Sequence, residues 1–146
     1  MQLGMARIGR TRLANGDRRR DGSWLLRTRW LPVVAYVALI FTLSAQPGLH
    51  VPGEFENRDK LAHLCEYGGL GWLVFRAARD TWPTAPRLRR MLVAALAVSA
   101  VGACDEVFQS HVPGRDSSVY DWAADTAGAT LAQVVGMALS RRREGA

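Results

Sequence analysis

Residues 91–110, MLVAALAVSAVGACDEVFQS, decide the fold. A run without a single charge passes directly into two adjacent carboxylates, Asp105 and Glu106, and then Gln109. A helix through this stretch suits a bilayer along most of its length, but it ends in groups that a bilayer tolerates only where they meet protein or water. Facing lipid, each carboxylate costs about 2.5–3.5 kcal/mol on insertion scales. The acidic pair therefore predicts a polar surface on neighbouring elements.

Three further apolar segments can supply it. Residues 30–45, WLPVVAYVALIFTLSA, carry no charge, and Pro32 stands near the start, where a helix dispenses with the missing N–H. This segment is short for a span of about 20 residues unless the preceding WLLRTR joins it, with Arg27 and Arg29 reaching back to the headgroups. Residues 61–78 are interrupted by His63, Glu66 and Tyr67, and the fourth segment covers residues 119–139. The joints, QPGLHVPGEFEN, RDTWPTAPRLRR and HVPGRDSS, hold the Pro, Gly, Asn and Asp that end helices. The expected fold is all-α: a four-helix transmembrane bundle over residues 30–140. Residues 1–29 are expected as a disordered, Arg-rich cytoplasmic tail and residues 141–146 as a cytoplasmic C-terminal tail.

Charge gives the bundle a direction. The 19 Lys and Arg outnumber the 13 Asp and Glu, for a net charge of +6, yet they lie in separate clusters without zinc-finger or RNP-like spacing, so no nucleic-acid partner is expected. Sixteen of the 19 fall in the N-terminal 29 residues, in residues 76–90 or in Arg141–Arg143, leaving only Arg58, Lys60 and Arg115 for the alternate joints. Such bias marks the cytoplasmic side, which puts both termini there. Trp30 and Trp122 fit interfacial anchors. A cleaved signal peptide ending at TLSA and a soluble bundle are weaker readings, because the long basic lead and the later apolar segments favour an uncleaved anchor. Cys65 and Cys104 read as buried thiols; neither a metal site nor a cofactor is expected from their spacing.

The polar interruptions follow helical spacing. Asp59, His63 and either Glu66 or Tyr67 share one face, as do Asp105 with Gln109 and Asp121 with Asp125. Gly128, Ala132 and Gly136 continue the last face as a row of small residues that admits a neighbouring helix. With about 1.5 Å of rise per residue, Glu66, Asp105 and Asp125 each lie about 8–10 Å below the outer end of their helix, in one layer. Ser117 or Ser118 suits the N-cap of the fourth helix, and Asp121 a capping box. Six acids (Asp59, Glu66, Asp105, Glu106, Asp121 and Asp125) face three cations. They need protons, a metal ion, a cationic ligand, or ion pairs from Lys60 and Arg115 to Asp59 and the 105/106 carboxylates.

The stretches DKLAHLCEYGGLG (59–71) and DEVFQSHVPGRDSSVYDWAADTAG (105–128), with TLSAQP before them, resemble the VanZ-like family of small bacterial membrane proteins, named for a teicoplanin-resistance protein. Asp125 departs from the Asn that the family more often has. The resemblance implies a multi-pass protein of the bacterial cytoplasmic membrane, associated with the cell envelope or a glycopeptide response. The matched residues Asp59, Lys60, His63, Glu66, Tyr67, Asp105, Glu106, Gln109, Arg115, Asp121 and Asp125 are expected to form an outward-facing polar pocket. A membrane lipid or lipid-linked envelope component is the expected partner; the oligomeric state is not legible. An intramembrane hydrolase or transferase on a lipid phosphate, with His63 as base and Glu106 as acid, is the alternative, although no nucleophile motif or HExxH accompanies them.

Overall fold

The computed structural model describes residues 22–48 and 57–144, and among them every regular element is helical. The helices are α1 (Gly22–Ser44), α2 (Arg58–Thr81), α3 (Arg87–Gln109) and α4 (Val119–Glu144). The all-α class and the number of helices agree with the sequence.

Two boundaries differ. Helix α1 starts at Gly22, well ahead of Trp30, so WLLRTR does join the apolar run, and residues 22–29 are helical rather than tail. The rest of the expected N-terminal tail lies outside the described residues. Pro32 is thus close to the middle of α1, where it would remove a backbone bond and crowd the preceding turn. A wider π turn over Leu26–Trp30 precedes it and relieves that crowding. Arg29 is held by Asp80 at 2.6 Å and lies 5.2 Å from the Trp24 ring, so it pairs within the chain. At the other end α4 continues through Glu144, carrying Arg141 and Arg142 in its last turns, where cations complement the exposed carbonyls.

The four-span expectation is supported only in part. Helices α1 and α3 alone are long and apolar enough to cross a membrane by composition. At 24 and 26 residues, α2 and α4 have the length but not the sustained apolar character. Polar side chains of α3 and α4 are turned inward. Asp105 is 1% exposed, Asp125 0% and Gln133 1%, whereas Leu96 is 70% and Val107 63% exposed. The outer side of α4 likewise shows Leu131, Val134, Val135 and Leu139. Buried carboxylates under an apolar exterior invert the pattern of a water-soluble bundle.

Helices α2 and α4 form the centre. A Cβ on Gly128 would run into the Leu64 carbonyl, one on Gly71 would stand 2.6 Å from the Ala129 backbone, and one on Gly136 would meet the Phe75 ring at 2.7 Å. The small row on α4 therefore seats α2 of the same chain. Around this contact Ile40, Tyr67, Leu70, Ala77, Val98 and Ala129 make a tight apolar core.

Helix α1 is fastened to the bundle at three heights. Trp30 Nε1 donates to Thr81 Oγ1 at 2.9 Å, the Tyr36 hydroxyl donates to the Glu66 carbonyl at 3.1 Å, and Ser44 Oγ donates to Asp105 at 3.0 Å. Trp122 Nε1 likewise donates to the Ser99 carbonyl at 3.0 Å. Both tryptophans expected as interfacial anchors thus satisfy their N–H groups within the chain, Trp122 while still exposed. Cys65 and Cys104 are exposed free thiols, not buried ones.

Candidate functional site

The joint between α3 and α4 organises the polar end. Arg115 N–H donates to the Val112 carbonyl at 3.2 Å across Pro113 and Gly114, and Gly114 has φ +75°, the pattern of a type II turn. Ser118 then caps α4, its Oγ accepting from Tyr120 N–H at 3.1 Å. The reciprocal partner expected from Asp121 comes from another helix: Glu106 Oε2 accepts the Ser118 N–H at 2.7 Å. A carboxyl group from α3 thus already occupies the positive end of α4.

Three local clusters follow. In the first, Gln109 Nε2 donates to Asp105 Oδ2 at 3.0 Å and to Ser44 Oγ at 3.1 Å, while Ser44 donates to the same carboxylate oxygen. Neutral donors therefore engage Asp105 Oδ2, while Oδ1 is buried without a hydrogen-bond partner. In the second, His63 Nδ1 is 2.9 Å from Asp125 Oδ1, and one ligand-type atom each from His63, Glu106 and Asp125 lies within 4.8 Å of the other two. In the third, Lys60 Nζ is 3.0 Å from Asp59 and 3.6 Å from Asp121. Asp59 and Lys60 precede the apolar stretch of α2, and the hydrogen bond from the ammonium holds the Asp59 carboxyl below its ordinary value.

A cavity of about 990 Å³ opens over these groups. Its polar lining includes Asp59, Lys60, His63, Glu66, Gln109, Arg115 and Asp121, and Tyr36, Leu39 and Leu43 of α1 form an apolar wall. Asp105, Glu106 and Asp125 lie buried outside this lining, and Tyr67 is wholly buried in the core. The expected residues therefore divide into a lining and a buried layer. Ser44 and Tyr36 were missing from the expected set. The only signal for Ser44 was its place in TLSAQP; for Tyr36, which uses a backbone carbonyl as partner, there was none.

These features define a class: an all-helical bundle with two helices apolar enough to cross a membrane and its buried carboxylates gathered at one end. The chain belongs to the VanZ/LLP1 family, whose family model matches residues 19–140. Neither the curated proteins nor the solved structures contain a match to it.

Proposed function

We propose that the chain threads the bacterial cytoplasmic membrane four times with both termini in the cytoplasm, and that its outward cavity holds the polar head of an amphiphile. The ligand class is a membrane lipid or lipid-linked envelope component bearing a phosphate. The cavity carries this reading, because its two kinds of wall match the two parts of such a molecule. Leu39 and Leu43 accept the start of a hydrocarbon chain, while Lys60 and Arg115 offer charge-assisted hydrogen bonds to an anion. Its volume falls within the range of about 300–1,000 Å³ typical of ligand pockets.

The hydrolase alternative gains no support. The hydrogen bond His63 makes among the described residues goes to Asp125, not to a nucleophilic hydroxyl or thiol. Native mass spectrometry from mild detergent tests the binding reading. The wild-type protein is expected to carry an adduct of lipid mass, and Arg115→Glu to lose at least nine-tenths of it. Undiminished retention in the folded variant overturns the reading, and the adduct mass separates a bulk phospholipid from a lipid-linked precursor.

A further inference from the structure

The buried layer beneath the cavity has chemistry of its own. His63 from α2, Glu106 from α3 and Asp125 from α4 converge, with one ligand-type atom of each within 4.8 Å of the others. Asp125 is 0% exposed and Glu106 7%. Each carboxylate has one engaged oxygen, Asp125 Oδ1 on His63 and Glu106 Oε2 on Ser118 N–H. The second oxygen of each, Asp125 Oδ2 and Glu106 Oε1, is buried without a hydrogen-bond partner. Lys60 pairs with Asp59 and Asp121, at 3.0 and 3.6 Å. Buried acceptors of this kind require a donor or a positive charge.

We propose that His63, Glu106 and Asp125 are three protein ligands of one divalent metal ion of the zinc class. One imidazole nitrogen and two carboxylate oxygens form a donor set suited to zinc or manganese; magnesium and calcium favour oxygen alone. Tetrahedral zinc with arms of about 2.1 Å holds its ligand atoms about 3.4 Å apart. The His63–Asp125 separation of 2.9 Å is near that value, and the Glu106 ligand atom lies within 4.8 Å of both. The Ser118 N–H on Glu106 Oε2 supplies the outer-shell hydrogen bond that orients a ligating carboxylate. Three protein ligands leave a coordination position open. Because the ion itself balances the buried charge, the site stands whether or not an amphiphile binds above it.

The test uses the full chain in detergent, stripped with chelator, desalted and titrated with zinc chloride alone, with bound metal counted by elemental mass spectrometry. The wild-type protein is expected to retain one zinc per chain, as is His111→Ala, whose ring lies outside the cluster. His63→Ala and Asp125→Ala are expected to bind at least tenfold more weakly, with helicity and elution volume showing whether they fold. Cobalt(II) added to the unmutated chain gives visible ligand-field bands of a nitrogen- and oxygen-ligated ion, a readout that needs no variant. Absence of both stoichiometric zinc and cobalt bands in the wild type overturns the proposal, as does zinc retained undiminished by folded His63→Ala. Lipid adducts are read separately, so failure of one proposal is distinguishable from failure of the other.

Discussion

The Ser44 hydroxyl, 3% exposed at the last turn of α1, both donates to Asp105 Oδ2 and accepts from Gln109 Nε2. Removing it deletes two buried hydrogen bonds and leaves Asp105 Oδ2 and the Gln109 amide bonded only to each other, and losses of this kind cost about 1–3 kcal/mol. Ser44→Ala is therefore expected to lower stability by about that amount, read as a lower midpoint of thermal unfolding in detergent, with helical content unchanged at low temperature. An unchanged midpoint would show that this contact does not hold α1 to α3. Single residues of this kind were only partly legible. Asp105 and Gln109 announced themselves by spacing of four, a signal internal to one helix. Ser44 lies 61 positions away from Asp105 in sequence, and nothing local marks a hydroxyl that completes a distant pair.

Between elements, the contact of α2 with α4 depends on side chains that are missing. Gly128 sits against the Leu64 carbonyl, and because that atom is backbone, no rotamer change can make room. Gly128→Leu is expected to force the helices apart at the level of His63 and Asp125, costing more than the roughly 1–3 kcal/mol of ordinary overpacking and yielding little monodisperse protein. Gly22→Ala, which meets nothing within 4 Å, is the matched control and is expected to purify as the wild type does. Equal yield and melting of the two variants would remove Gly128 from the interface. The row of Gly128, Ala132 and Gly136 made this helix face visible in the sequence, though not its partner, because a small-residue row fits any close neighbour. The start of α1 was hidden for another reason. Pro32 reads locally as a first-turn residue, and only the π turn before it lets the helix run through.

At the scale of the molecule, two independent distributions agree. Helices α1, α3 and α4 turn leucines and valines outward, α3 and α4 turn carboxylates inward, and in the sequence sixteen of the 19 basic residues belong to residues 1–29, 76–90 or 141–143. Among the described helices composition picks out only α1 and α3 as spans, because the small and polar residues of α2 and α4 that serve helix contact lower their mean hydropathy. If all four helices cross, the joint holding Asp116 lies outside the cell and the joint holding Thr84 inside, since α3 connects them. Both residues are exposed, so each is a fair place for a probe. In a background with Cys65 and Cys104 replaced by alanine, Asp116→Cys is expected to react in intact cells with a membrane-impermeant maleimide, and Thr84→Cys only after permeabilisation. The reverse pattern would turn the molecule over and point the cavity at the cytoplasm. Labelling of both in intact cells would mean that α3 does not cross, and the outward placement of Lys60, Arg115 and the carboxylates beneath them would fall with it.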